Sequence, residues 1–296
     1  MLPHPHLPFH TVRRNAAGPR WVNAFALWAT LACSAASVAI ADDTPWVESC
    51  RIDSFRLRAD FAVGAHDTLL DELGGLRRDV SQTLGIETTQ QPVDLYLFGD
   101  RTAYESFLQR RYPKVPFRRA LFIKNSVSRV VCAYRSEMFD VDLRHEATHA
   151  LLHSALPRVP LWIDEGLAEY FEMAPAERAS GHPHFESLAS DEARPVASLA
   201  SLERKVKLVE MGRDDYRDAW AWVHFMLHGP REAHEELVGY LAELADGKEP
   251  EPLSLRLARR FPDVEHQLVQ HLAHYQHLQL ARAISAPATT GTAGHR

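Results

Sequence analysis

The 296-residue sequence contains only three cysteines, Cys33, Cys50 and Cys132. Three thiols are too few for a disulfide-stapled scaffold or for a zinc site built from four thiolates. The chain also lacks a basic excess, because 33 Lys and Arg stand against 39 Asp and Glu. Proteins that bind nucleic acid phosphates usually carry such an excess, so we expect no nucleic acid partner. The composition, 46% apolar and 24% charged, excludes a wholly disordered chain and a polytopic membrane protein.

Residues 1–41 contain no acidic residue. Arginines precede a mostly apolar run that ends in Ala39-Ile40-Ala41. This order predicts a secretory signal peptide that is cleaved after Ala41, and hence a periplasmic or secreted protein. An uncleaved transmembrane anchor is the alternative, although polar residues interrupt the run. After cleavage we expect no stable membrane insertion; the sequence leaves the oligomeric state open.

Two cysteines, Cys50 and Cys132, would remain in the mature chain. Export places them in an oxidising compartment, where a disulfide between them is plausible. Two buried free thiols are the alternative, since Cys132 lies in an apolar, strand-like run.

The pattern of apolar residues predicts strands in the first half of the mature chain and helices in the second. Strands are expected at 51–63, 93–98, 120–123 and 129–134, helices at 66–83 and 101–111, and mainly helix from about residue 140. This order predicts an α+β fold: a small mixed or antiparallel sheet with helices, followed by a mainly helical half. We divide the chain into a signal peptide (1–41), an N-terminal α/β subdomain (42–139), a helical subdomain (140–284) and a disordered tail (285–296). A long loop is expected at 174–199.

The helix predicted at 140–156 contains the segment His145-Glu146-Ala147-Thr148-His149. Two histidines four residues apart lie on one face of a helix and can bind one metal ion. Glu146 flanks that face and can reach a ligand of the ion rather than the ion itself. The rest of the helix is apolar, and a buried, unpaired carboxylate there would cost roughly several kcal/mol. A metal ion and its water would be the missing partner.

A second apolar helix, residues 161–171, carries the acidic residues Asp164, Glu165 and Glu169. The connection to the preceding helix is short, so the two helices should be neighbours. Catalytic zinc takes three protein ligands and keeps a fourth position open, which His145, His149 and Glu165 would satisfy. Glu169, one turn beyond Glu165, would hold a ligand imidazole by its other ring nitrogen. The alternative is that both glutamates lie on a solvated helix face.

These two segments together resemble the gluzincin metallopeptidases, and most of all the small, bacterial peptidase MA-like members. The first segment is His145-Glu146-Ala147-Thr148-His149, and the second, after fifteen residues, contains Glu165 in Trp-Ile-Asp-Glu-Gly-Leu-Ala-Glu-Tyr-Phe. In that clan the third ligand is the Glu of an Asn-Glu-Gly segment, which this sequence writes Asp164-Glu165-Gly166. The gap is shorter than in the thermolysin and aminopeptidase branches. The resemblance implies a peptidase that holds one Zn²⁺ and acts on a peptide or protein substrate, and the predicted signal peptide would make it an exported one.

The segment that begins at Tyr216 is similar to a downstream helix of the same clan, whose tyrosine donates a hydrogen bond to the oxyanion. The resemblance implies this role for Tyr216; simple packing is the alternative. Glu146 would act as general base and then general acid on a zinc-activated water. The Gly-x-Met-Glu-Asn segment by which the clan's aminopeptidases anchor a free amine is not found upstream, which favours an endopeptidase. The strand at 129–134 is expected to bind the extended substrate.

The other histidines are assigned simpler roles. His153 lies two turns from His145, too far to share its ion. His182 and His184 are expected at the surface of the long loop, and His224 in the core. The histidines of the C-terminal helix, His266, His271, His274 and His277, are expected on a solvated face.

Two other functions stay open on the sequence alone. One is a catalytically silent, gluzincin-like binding or assembly module of the bacterial envelope. The other is metal-dependent hydrolysis of a non-peptide amide.

Overall fold

The computed structural model describes residues 44–88, 91–125, 128–190 and 194–285. The predicted signal peptide lies outside the described residues, as does the predicted tail beyond Ser285. The strands are β1 (Glu48–Ile52), β2 (Phe55–Ala59), β3 (Val93–Phe98), β4 (Ala120–Lys124) and β5 (Arg129–Tyr134). The helices are α1 (Asp67–Leu84), α2 (Arg101–Arg111), α3 (Phe139–Ala155), α4 (Leu161–Phe171), α5 (His184–Leu188), α6 (Leu199–Glu203), α7 (Arg213–His228), α8 (Arg231–Ala245), α9 (Leu253–Arg260) and α10 (Val264–Ser285).

The five strands form one mixed sheet in the order β1-β2-β3-β5-β4. The two outer pairs, β1 with β2 and β4 with β5, are antiparallel, whereas β2, β3 and β5 run parallel. A sheet in the first half and helices in the second confirm the predicted α+β fold. The division into subdomains at residue 140 stays a prediction.

The single strand expected at 51–63 was wrong. The chain turns back at Asp53, whose φ of 47° lies in the left-handed region, and β1 and β2 form a hairpin with Ile52 paired to Phe55. Asp is one of the few non-glycine residues that tolerate this conformation.

Apolar side chains alternate between the two faces of the sheet, and each face packs on its own helices. Leu95, Leu97 and Val131 belong to the main core, together with the buried residues of α1 and α3. Tyr96, Cys132 and their neighbours on the opposite face pack against α2 in a smaller core. Helix α3, which carries the predicted metal ligands, therefore lies within the larger core.

The suggested disulfide between Cys50 and Cys132 was wrong, since both thiols are free. Cys50 lies on the outer strand β1 and is exposed, whereas Cys132 on β5 is buried. Three interstrand steps separate these strands, roughly 14 Å at the usual spacing of about 4.8 Å. A disulfide needs Cα atoms within about 7 Å of each other.

The strand at 129–134 is present as β5, but it does not lie at an edge of the sheet. It pairs with β3 on one side and with β4 on the other, so β4 is the outer strand. The expectation that β5 binds an extended substrate was therefore wrong, because both of its edges are already hydrogen-bonded.

The long loop expected after α4 is partly ordered by a short helix, α5, whose Phe185 is fully buried. Among the described residues, no helix combines the length and the apolar character that crossing a membrane requires.

Candidate metal centre

Helices α3 and α4 carry the three predicted metal ligands and are joined by only five residues, 156–160. Helix α3 ends just before Pro157, and α4 begins directly after Pro160, whose φ of −58° already suits a helix start. So short a connection folds α4 back against α3. His145 and His149 lie one turn apart on the same face of α3.

The structure brings the three predicted ligands together. Nε2 of His145 lies 3.7 Å from Oε2 of Glu165, and Nε2 of His149 lies 3.6 Å from the same oxygen. One ligand atom from each residue lies within 4.8 Å of the other two. Tetrahedral ligands at about 2.0–2.1 Å from an ion are separated from one another by roughly 3.4 Å. The spacing fits a single metal ion.

The chemistry of these donors also fits a cation. Nε2 of His145 and both carboxylate oxygens of Glu165 are buried and make no hydrogen bond within the described residues. Burial raises the pKa of Glu165, and the imidazole of His149 opposes this only in part. Burial lowers the pKa of His149, which favours the neutral ring that a metal requires. A divalent ion would supply the positive charge that this buried carboxylate needs.

Glu146 follows His145 on α3 and is fully buried. Both of its carboxylate oxygens lack a hydrogen-bond partner among the described residues. Burial raises its pKa, while the imidazoles of His149 and His145 act in the opposite direction. A carboxylate in this position can exchange a proton with a molecule held beside His145 and His149.

Each ligand histidine faces a carboxylate on its outer nitrogen. Oε2 of Glu172 lies 2.8 Å from Nδ1 of His145, and Oδ2 of Asp164 lies 3.0 Å from Nδ1 of His149. The contact of His145 is a hydrogen bond, which fixes the proton on Nδ1 and leaves the Nε2 lone pair for an ion, whereas the contact of His149 is an electrostatic one at ion-pair distance. Both imidazoles are therefore oriented with Nε2 toward Glu165.

The predicted role of Glu169 was wrong. Its Oε2 lies 3.0 Å from Nε2 of His184, and it is Glu172 that meets His145. Glu165, Glu169 and Glu172 follow one another at i, i+4 and i+7, so all three lie on one face of the helical segment. That spacing marks Glu172 as a candidate beside Glu169, but it does not choose between the two.

Tyr216 lies in the first turns of α7 and is 2% exposed. Burial raises the pKa of its hydroxyl, and Glu165 and Glu169 raise it further, so the group stays protonated as a donor. A close contact between α4 and α7 explains why Tyr216 lies near these carboxylates: a Cβ built on Gly166 would lie 2.7 Å from the carbonyl oxygen of Ala219. Only glycine allows this approach.

The remaining histidines divide into correct and incorrect predictions. His153 lies outside the candidate metal groups of the described residues, 3.5 Å from Oδ1 of Asp164, and His224 is fully buried, as expected. His182 was expected at the surface and is instead 2% exposed. His271, expected on a solvated face, is partly buried, and its Nε2 lies 2.8 Å from Nδ1 of His224.

Comparison with known proteins adds a family without an assigned activity. Residues 141–251 match a family described as "Protein of unknown function (DUF1570)". The match begins near the start of α3, ahead of His145, and includes α4 and α7. No curated protein sequence matches the chain.

Proposed function

We propose that this protein is an exported, zinc-dependent peptidase that hydrolyses internal peptide bonds. One observation carries the proposal: a buried carboxylate, Glu146, lies beside a ligand set of His145, His149 and Glu165 whose spacing suits one ion. A purely structural metal site has no need of such an extra base. Two nitrogens and one oxygen favour zinc among the common ions.

When bound, the ion would polarise the scissile carbonyl and lower the pKa of a water molecule to about 7. Glu146 would take the proton from that water and pass it to the leaving nitrogen. Its burial favours this task, because it raises the pKa of Glu146 toward neutral pH. A group whose pKa lies nearer the working pH can both take up and release a proton. The Tyr216 hydroxyl would donate a hydrogen bond to the oxyanion that develops on the carbonyl oxygen.

A second candidate function is a metal-holding binding module that has no turnover. The observation in its favour is the depth of the site: His145, Glu146, His149 and Glu165 are each at most 1% exposed. A catalytic site must admit a substrate, so an activity measurement separates the two functions.

The test compares the wild type with Glu146→Gln, both loaded with zinc, on an unbiased peptide library. We expect the wild type to cleave peptides and the variant to be about 10²- to 10⁴-fold slower, because a general base of this kind contributes about that much. Elemental analysis should find equal zinc in both proteins, since Glu146 is not a ligand. Glu232→Gln, at an exposed position on α8, is the matched control and should keep full activity.

The results that contradict the proposal are distinct. A wild type that binds zinc but cleaves no peptide would favour the binding module. Cleavage of non-peptide amides alone would keep the hydrolase and replace the substrate. A wild type that binds no zinc would overturn the metal site itself.

A further inference from the structure

The segment between α4 and α6 reaches the outer side of the candidate metal centre. Its His182 is 2% exposed and stacks on Trp220 of α7, with ring centroids 4.7 Å apart and planes inclined by 30°. The imidazole of His182 is therefore fixed in position against α7. It lies close to the two carboxylates at the end of α4, Glu169 and Glu172.

A backbone hydrogen bond determines which ring nitrogen of His182 carries the proton. The N–H of His184 donates to Nδ1 of His182 at 3.0 Å, so Nδ1 is an acceptor. A neutral imidazole with an acceptor at Nδ1 has its proton on Nε2. That Nε2 lies 3.5 Å from Oε1 of Glu172, and it makes no hydrogen bond within the described residues.

Glu172 has a second neighbour on its other oxygen. Oε2 lies 2.8 Å from Nδ1 of His145, one of the three candidate ligands. The backbone of Glu172 is also held, because Nε of Arg144 donates to its carbonyl oxygen at 2.5 Å. His182 is thus the imidazole that faces the far side of the carboxylate on which His145 depends.

We propose that His182 is a positioning residue for the metal centre, acting through Glu172 on His145; this rests on the metal site of the proposed function. The Nε2–H of His182 attracts Oε1 of Glu172 and keeps Oε2 directed at His145. The proton of His145 then stays on Nδ1, and its Nε2 is left as a lone pair for the ion.

The same region could instead be taken for a second metal site, because Glu169, His182 and His184 also bring ligand atoms within 4.8 Å of one another. The proton position argues against it. An ion at Nε2 of His182 would need a lone pair on that atom, whereas the backbone contact at Nδ1 places the proton there. An electrostatic contact between the Nε2–H of His182 and Oε1 of Glu172 agrees with this geometry, and a second ion at Nε2 does not.

The experiment compares His182→Phe with His182→Gln in the full-length protein. Phenylalanine keeps a ring against Trp220 and removes the donor, whereas glutamine places an amide N–H near the position of Nε2. Removing a group that contacts a ligand histidine typically changes metal affinity about 10- to 100-fold, and His182 acts one contact further out, through Glu172. We therefore expect His182→Phe to weaken zinc binding by about 10-fold, at the lower end of that range, and His182→Gln to restore most of the affinity.

His184→Phe is the matched control. It removes an imidazole from the same segment that contacts Glu169 rather than Glu172, and it keeps the backbone N–H. Its zinc affinity should stay close to that of the wild type. Competition against a chromophoric chelator gives the dissociation constants and the number of zinc ions per chain.

Should His182→Phe fail to fold, ¹⁵N NMR of the zinc-loaded wild type tests the same point directly. We expect the proton of His182 on Nε2 and that of His145 on Nδ1. A proton on Nδ1 of His182, unchanged zinc affinity in His182→Phe, or a second zinc ion that this variant loses would each overturn the proposal. Because these measurements need no turnover, an inactive protein that binds zinc would contradict the peptidase function alone.

Discussion

Among the proposed catalytic side chains, Tyr216 is the one whose contribution can be tested by removing a single oxygen atom. Its hydroxyl is buried near Glu165 and Glu169, and removing it leaves the aromatic ring in the core. We expect Tyr216→Phe to lower kcat roughly 10²- to 10³-fold with little change in bound zinc, because an oxyanion donor acts in the transition state. Steady-state kinetics on a peptide found by the library digest, with elemental analysis, gives both quantities.

Tyr240→Phe on α8 is the control, since Tyr240 is also buried and its hydroxyl lies outside the site. If both variants reduce activity to the same small extent, Tyr216 only packs and the oxyanion role is lost.

At the scale of residues, local spacing was sufficient to predict the three candidate ligands, but not to predict which carboxylate contacts His145. His145 and His149 follow from helical geometry, and Glu165 follows because the connection is too short to carry α4 elsewhere. Which of Glu169 and Glu172 contacts His145 depends on the position of a loop, since the imidazole of His184, on that loop, contacts the carboxylate of Glu169. No periodicity in a sequence fixes where such a loop packs. The cue that remained was His182-Pro183-His184, a pair of histidines set beside the apolar Phe185.

At the scale of elements, the contact between α4 and α7 holds Glu165 and Tyr216 in one site. Gly166 makes it possible, since a Cβ there would lie 2.7 Å and 2.8 Å from backbone atoms of Ala219. Backbone cannot move aside as a flexible side chain can. We expect Gly166→Ala to destabilise the protein by about 1–3 kcal/mol, the usual cost of overpacking, and to weaken zinc binding. Urea unfolding and chelator competition measure the two effects.

Gly75→Ala in α1 is the matched control. Nothing lies within 4 Å of a Cβ built on Gly75, so alanine should stabilise the helix by about 0.5–1 kcal/mol. An equal gain in stability for Gly166→Ala would show that α4 and α7 are not in close contact.

The elements themselves were predicted well where the apolar pattern is regular. The sequence predicted β3, β5 and α2 at their observed bounds, and Asp100 caps α2 by accepting a hydrogen bond from the N–H of Ala103. The hairpin at Asp53 was missed because the only break in the alternation at the turn is a pair of consecutive polar residues, Asp53 and Ser54, after which the pattern resumes at Phe55. The strand order of the sheet contradicted two predictions, the disulfide between Cys50 and Cys132 and the substrate-binding edge at β5. This order depends on long-range strand pairing, which no local sequence pattern indicates.

On the scale of the whole molecule, one histidine connects the C-terminal helix to the segment that carries His182. His224 of α7 has its Nδ1 2.8 Å from Nε2 of His271 on α10, and its Nε2 3.0 Å from the carbonyl oxygen of Ala179. The carbonyl must accept, so Nε2 of His224 carries a proton and Nδ1 accepts from His271. A second proton on His224 would meet the Nε2–H of His271, so the hydrogen bond could persist only if His271 moved its own proton to Nδ1.

This arrangement makes the stability of the protein sensitive to acid. Burial lowers the pKa of His224 to about 2, and the neighbouring His228 and His271 act in the same direction. In the unfolded chain the pKa returns to about 6.5, so below that pH the unfolded state binds the extra proton. The stabilisation is fully present above about pH 6.5 and decreases as the pH falls toward 2. Between pH 7 and pH 5 the loss from this one residue is about 2 kcal/mol.

We therefore expect the free energy of unfolding of the metal-free protein, measured by urea titration at pH 7, 6 and 5, to fall less steeply in His224→Phe than in the wild type. The variant starts from lower stability because it loses two hydrogen bonds, so the slope with pH, and not the absolute value, is the quantity that decides. His277→Gln, at an exposed position of the same helix as His271, should keep the wild-type slope. Equal slopes for the wild type and His224→Phe would mean that His224 accepts the proton within the folded protein as readily as in the unfolded chain, which would contradict the prediction.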